Sequence, residues 1–412
     1  MQKTMRRTKG AIAALFALWL GMGAVSRVSA DTAFTGEKWT DSIKFNGDMR
    51  IRHESFYIKS TAASGGQNSG HDRNRERLRL RFGVTANMQD FLVGFRIASG
   101  VGEQVSTNQT YQNDFNQKQL WIDQAYLTWK IHEYLKVTGG KMINPFWRTY
   151  ASDVVWDDDV NPEGYAQQMD MPLGERASLF VNMAQLPLHE GGTTPDPWMF
   201  GNQIGSNLKV TEDTRLSLAG SFYGFVNEKA ADFTAGGNGG AVRQYGNSRV
   251  GAAGTLATSL RLLHFTGELA SHVGALPLAF DADFVHNIDA RNSLDNDHND
   301  GATGYQIGTI LGKAKSAKSW EVAYFYKYVE NNATFADIAD SDFGYSGAAG
   351  GGVNRKGHIL WLAYALRDNV TVKGKYFMTR VLNPYLNSFG QPVATPVFDD
   401  INRFQLDLVV KF

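Results

Sequence analysis

The stretch RNRERLRLRFGV, Arg73 to Val84, places arginine at 73, 75, 77, 79 and 81, with Leu78, Leu80, Phe82 and Val84 in the alternate positions. On a helix those arginines would scatter around the circumference. On a strand successive side chains alternate faces, so the arginines form one charged row opposite one apolar row. A half-exposed sheet in a water-soluble protein would show the same alternation. Where the basic face points is decided by the rest of the chain.

The first thirty residues read as an export signal. Lys3, Arg6, Arg7 and Lys9 precede the apolar run AIAALFALWLGMGAV, and VSA at 28 to 30 supplies the small residues of a cleavage site after Ala30. Taking away its five basic residues, Arg27 included, leaves 36 basic residues against 41 acidic ones in 31–412, a formal charge of −5. An overall acidic chain is not a nucleic-acid binder, whatever the arginine row suggests alone. There is no cysteine, so an exported chain of this length holds together without disulfides, and iron–sulfur clusters and c-type haem are excluded. No second apolar run is long enough for a transmembrane helix. Aromatic residues make up 12% and glycines number 43. Apolar residues spent on alternate positions in an exported, cysteine-free chain define a transmembrane antiparallel β-barrel, stabilised by its closed hydrogen-bonded sheet.

Sixteen alternating segments are expected: Ile43–Tyr57, Arg75–Met88, Phe91–Gly100, Leu120–Ile131, Leu135–Met142, Gly164–Met171, Ser178–Gln185, Met199–Val210, Arg215–Phe225, Leu260–Ala270, Leu278–Ile288, Gly304–Gly312, Trp320–Val329, His358–Leu366, Val370–Arg380 and Arg403–Phe412. In Trp320–Val329 one face reads Trp320, Val322, Tyr324, Tyr326, Tyr328, an aromatic row suited to lipid and its interface. Short connections such as Gln89–Asp90, His132–Tyr134 and Arg367–Asn369 read as periplasmic turns. Long polar ones at 58–72, 101–117, 143–162, 226–257, 289–302, 330–356 and 382–401 read as external loops. The stretch 247–258 is read as loop, because one added strand would break the even count. Neither an internal repeat nor a proline-rich linker divides the chain, so 31–412 is expected to form a single barrel domain.

The parity turns the arginines inward, since each would cost roughly 2–4 kcal/mol facing hydrocarbon near the midplane. Arg50, Arg52, Arg77, Arg79, Arg81 and Arg96 are then a basic wall along a water-filled lumen, with Arg73 and Arg75 nearer the external rim. The third long connection, NPFWRTYASDVVWDDDVNPEG, carries Trp147, Arg148, Asp153, Trp156, Asp157, Asp158 and Asp159. By analogy with sixteen-stranded channels it is expected to fold inward and set its aspartates against the arginines. Opposed charges of that kind set ion preference. The same aspartates could equally form turns outside the barrel. DNDHNDG, Asp295–Gly301, has alternate oxygen ligands of a calcium loop, but Asp300 stands where glycine is required and Gln306 where the bidentate glutamate belongs, so no metal is expected there. No HExxH, GxSxG, phosphate-binding or dinucleotide motif occurs, so neither catalytic residues nor a cofactor are expected.

GDMRIRHE, RERLRLRFGV, VVWDDDVNPEG and LGKAKSAKSWEVAYFYKYVE, in this order and spacing, resemble the "putative porin" family of Gram-negative outer membranes over nearly the whole of 31–412. The ending RFQLDLVVKF, alternating to a terminal Phe412, is similar to the signature outer-membrane barrels present to their assembly machinery. The resemblance implies a passive channel for ions and small hydrophilic solutes in contact with outer-membrane lipid, and no catalytic residues. It leaves trimer and monomer both open, along with the sign of ion preference. A sheath for an electron-transfer conduit, an outer-membrane enzyme and a plugged adhesive barrel are the rival classes.

Overall fold

In the computed structural model the described residues are 42–60, 72–190, 192, 194–229, 246–250, 255–290, 301–344, 352–386, 392–396 and 399–412. The proposed export signal and most of the DNDHNDG loop lie outside them. The sixteen barrel strands are β1 Ile43–Ser60, β2 Asp72–Met88, β3 Phe91–Ser99, β4 Leu120–His132, β5 Leu135–Lys141, β6 Glu163–Pro172, β7 Ala177–Pro187, β8 Trp198–Lys209, β9 Arg215–Val226, β10 Arg261–Val273, β11 Leu276–Asn287, β12 Thr303–Gly312, β13 Trp320–Val329, β14 Arg355–Arg367, β15 Val370–Val381 and β16 Asp399–Lys411. All sixteen expected segments are strands, most of them longer by one to three residues at an end. The described residues contain no α-helix, and the loop 330–354 carries a short 3₁₀ turn, Ala336–Ile338.

Each strand pairs antiparallel with its sequence neighbours, and β1 also pairs with β16, from Asp48 opposite Lys411 to Ser60 opposite Asp399, which closes the sheet. Closure matters physically because hydrocarbon offers no partner to an unpaired backbone group. Phe412 completes the seam: its N–H donates to the Gly47 carbonyl at 3.1 Å and its carbonyl accepts from the Gly47 N–H at 2.9 Å. The two-residue piece Gln109–Thr110 adds to β2, and Arg249–Val250 pairs with Thr255–Leu256 outside the barrel sheet.

Alternation divides every strand as its sequence requires. On β1, Met49, Ile51 and Tyr57 face out while Asp48, Arg50, Arg52 and Glu54 are buried inside; on β13 the aromatic row faces out and Glu321, Phe325 and Lys327 face in. The connections alternate in kind as well. The long loops 61–71, 100–119, 142–162, 188–197, 227–260, 288–302, 330–354 and 382–398 fall between β1–β2, β3–β4 and so on, and the short turns between the others.

The third loop, 142–162, leaves the wall between Gly140 and Gly164, which sit opposite each other on β5 and β6 at φ +116° and +135°. A Cβ at either would run into a backbone carbonyl, of Ala125 or of Gln185, so the sharp departure requires glycine. From there the loop runs inside the barrel. Val154, Val155 and Trp156 are buried against the inward residues Tyr223, Leu262, Val285 and Val329, and the loop 330–354 adds Phe335, Ala336 and Ile338 to the same apolar core. The lumen is therefore packed on its β6–β13 side rather than filled with water all round, because both inward loops carry apolar runs and the facing wall supplies apolar partners.

Deleting Phe412 removes both seam hydrogen bonds to Gly47. The truncated chain is expected to give less barrel, read as a smaller heat-modifiable fraction on a gel after refolding into detergent; an unchanged fraction would remove the seam role.

Candidate functional site: the charged lumen

The inward row of β2 meets the inward row of β1 in register: Arg81 opposite Asp48, Arg79 opposite Arg50, Arg77 opposite Arg52, Arg75 opposite Glu54. Two arginine pairs directly opposite each other would repel. They are held by carboxylates placed around them. Arg79 and Arg81 both reach Asp48, at 2.8 and 2.6 Å. Arg52 donates through Nε and Nη2 to the two oxygens of Asp407 on β16, at 2.6 and 2.8 Å, the bidentate geometry that makes such pairs strong. Arg50 lies 3.9 Å from Asp407 and donates to Asn108 at 2.6 Å. Arg96 pairs with Asp123 at 2.5 Å.

Glu54 is fully buried and gathers Arg75, Arg403 and Gln405, with Arg77 at 3.7 Å. Arg75, three residues from the start of β2 and only partly buried, joins the wall's network from nearer its loop end.

Loop side chains complete the lattice from above. Of the three consecutive aspartates only Asp159 stands against the arginines, 3.8 Å from Arg79 and 3.7 Å from Arg81. Burial works against its ionisation, yet Arg79, Arg50 and Arg81 hold its carboxyl below the usual range. Asp157 turns away and accepts the N–H groups of Asp159 and Ser341, at 2.8 and 3.0 Å. Burial, with Asp159 beside it, pushes its carboxyl well up. Asp158 is exposed and takes Arg148 at 2.7 Å, and Arg148 also donates to the carbonyls of Ser152 and Trp156. Arg148 therefore folds the loop on itself. The Trp147 backbone N–H donates to Gln203 Oε1 of β8 at 2.7 Å and its carbonyl accepts from Gln203 Nε2 at 2.8 Å, and Trp156 stacks in the apolar core on Phe146.

Asp153 crosses to the far wall, where buried Lys327 of β13 holds it at 2.6 Å and Asp340 of the loop 330–354 at 2.9 Å. Burial, and Asp340 next to it, push the Asp153 carboxyl up to about 7 despite the lysine. In the same loop Asp342 pairs with Arg403 at 2.6 Å and Arg52 at 3.5 Å. Burial opposes its charge, but Arg403 and Arg52 hold it well below the usual range. The sequence reading did not single out Lys327, Asp340, Asp342, Glu54, Arg403 or Asp407. Glu54, Lys327, Arg403 and Asp407 were legible as charged residues at inward parity; the loop aspartates carried no such signal.

Between these groups lies a cavity of about 470 Å³. The arginines of β1 and β2 form one side, Lys373 and Lys375 of β15 another, and Asp157–Asp159 with Asp340 and Asp342 cover it. No group of histidine, aspartate and glutamate side chains suited to a metal ion occurs among the described residues.

A closed sixteen-stranded barrel with an apolar outside and a charged, partly open inside is the architecture of an outer-membrane diffusion channel. A family model described as "Putative porin" matches residues 31–238 and 241–412, and the chain belongs to that family, and is with it an outer-membrane channel. Among solved structures the chain is similar in fold to OprB of Pseudomonas putida, at 11% identity and a TM-score of 0.53, over 90% of this chain and 95% of that one. Salmonella typhi OmpF in its complex with daunomycin gives 11% identity and a TM-score of 0.49, over 92% and 100% of the two chains. The outer-membrane channel DcaP of Acinetobacter baumannii gives 14% and 0.44, over 90% and 97%. No curated protein matches the sequence.

Two outcomes follow for this lattice. Glu54→Gln leaves buried arginines short of a counter-charge and is expected to cost roughly 3–5 kcal/mol, measured by denaturant unfolding of the refolded barrel. Asp153 carries a folded pKa of about 7 against 3.8 ordinarily, so its protonated form favours the folded state: that contribution is complete below about pH 4 and is lost as pH rises through 7. Unfolding midpoints should fall between about pH 4 and 7, and Asp153→Asn should flatten that fall.

Proposed function

We propose that this chain is exported through cleavage after Ala30, that 31–412 folds as one barrel domain, and that the barrel passes small hydrophilic solutes and ions by diffusion. The single observation that carries this is the charged cavity, about 470 Å³, inside a barrel whose outer face is apolar. A partly open space lined by both signs of charge stays hydrated and admits polar solutes, whereas an apolar void would stay dry.

In this reading Arg50, Arg52, Arg79 and Arg81 are the basic side of the passage and Asp159 is its acidic counterpart from the third loop. Arg77 and Arg96 support them from the same wall. The third loop sets the width, because its backbone is tied to β8, β12 and β13 through Gln203, Gln306 and Lys327. The channel needs no catalytic group and no cofactor. Phe412 is the mark read by the assembly machinery, and the aromatic outer row of β13 meets outer-membrane lipid.

Single-channel recording of refolded 31–412 in a planar bilayer under a KCl gradient tests the reading. Stable conductance steps are expected. Arg79→Glu with Arg81→Glu should move the reversal potential toward cations, and the milder Arg79→Gln with Arg81→Gln should move it the same way by less. A folded barrel that passes no current would overturn the channel reading in favour of a plugged or partner-dependent barrel. An unmoved reversal potential would remove the arginines from the passage.

A further inference from the structure

The cations that line the cavity are of two sorts. Every arginine there has a carboxylate within 4 Å: Arg50 and Arg52 share Asp407, Arg79 and Arg81 share Asp48 and Asp159. Lys373 and Lys375 of β15, like the exposed Lys411 at the end of β16, have no such partner among the described residues, although all three line the cavity. Lys373 and Lys375 occupy alternate positions of one strand, so both ammonium groups enter the lumen from backbone positions roughly 6–7 Å apart.

What positions them is aromatic. Lys373 Nζ lies 4.3 Å from the centroid of Trp361 and 5.6 Å from that of Tyr150; Lys375 Nζ lies 4.6 Å from Phe377 and 5.8 Å from Trp361. A ring face orients an ammonium without neutralising it. The carboxylates around them are engaged elsewhere. Glu321 accepts the Trp361 indole N–H at 2.7 Å, Asp158 takes Arg148, and both oxygens of Asp407 take Arg52. On the loop side Asp153 and Asp340 take Lys327, and Asp342 takes Arg403.

Two neighbouring ammonium groups, held in place with no carboxylate in direct contact, in a water-accessible cavity, call for mobile anions. We propose that Lys373 and Lys375 together form a transit site for small dianions, of the class of sulfate or a short dicarboxylate. The inference rests on the reading of the lumen as a passage and adds to it the class of solute. The surrounding acids keep the site weak, and a conducting pathway requires that: a solute must bind well enough to enter and loosely enough to leave.

Two measurements on refolded 31–412 separate the site from the channel. The first is block of KCl current by sulfate and by malonate, with acetate as the singly charged comparison. The second is calorimetric titration of the same anions into the barrel in detergent, which needs no conduction. Both dianions should block and bind in preference to acetate. Lys373→Gln with Lys375→Gln should raise the half-blocking concentration about tenfold or more while the barrel stays heat-modifiable, and Lys373→Arg with Lys375→Arg should restore block. Sulfate acting without malonate would narrow the class to compact oxyanions, and the converse to dicarboxylates, each still through the lysines.

Current without block or binding, or block that survives the glutamine pair, would overturn the site and leave the channel standing. Binding that the glutamine pair abolishes in a barrel that passes no current would keep the site and overturn the channel. Neither binding nor current would overturn both.

Discussion

The structure depends on the seam between β1 and β16. A sheet in hydrocarbon cannot leave an edge, and this one is closed by pairing the first strand with the last, down to the exchange between Gly47 and Phe412. Charge ties the same junction on its inner face. Arg52 of β1 holds Asp407 of β16, and Glu54 of β1 holds Arg403 and Gln405 of β16. Backbone closure fixes which side chains face in; those facing in then bind the two ends of the chain together across a separation of about 350 residues. Once the ring is shut, the alternation of every other strand has only one consistent assignment.

That assignment makes a lumen with two unlike halves. Along β16, β1, β2 and β3 the inner wall is a lattice of arginines and carboxylates, with opposed arginines tolerated because Asp48, Glu54 and Asp407 sit between them. Along β6 to β13 the inner wall carries an apolar patch among buried polar groups such as Gln203, the His264–Asp283 pair and Lys327, and the third loop covers that patch with Val154, Val155 and Trp156. The cavity lies between the lattice, the loop aspartates and β15. The packing on one side and the charge on the other are complementary: the apolar core seats the loop that delivers Asp159 to the arginines.

Much of this was legible in the sequence, and what was not has a common cause. Strand positions and facing follow from a period of two, a local property, so RLRLRFGV and WEVAYFYKYV carry their own orientation. The identity of the third loop as an inward segment came from its place in the order of connections and its aspartates. Which aspartate faces which cation did not, because the partners are remote: Asp153 finds Lys327 across 174 positions, and Asp157 turns to Ser341 across 184. Asp157, Asp158 and Asp159 look alike as a run, yet their backbone points them three ways. The apolar filling of the β6–β13 side was hidden for a related reason. VAL-rich and aromatic stretches at inward parity look like ordinary strand residues until something is known to cover them.

The anchoring of the third loop also has a temporal side. Its core partners Tyr223, Leu262, Val285 and Val329 lie on β9, β10, β11 and β13, up to about 170 positions further along the chain. None of that surface exists until those strands have been laid down. The loop can therefore seat only when those strands are in place, because the nonlocal contacts that reward its ordering do not exist before. The seating of the third loop on the apolar side is thus a nonlocal contact, one that exists only where β9, β10, β11 and β13 have come together.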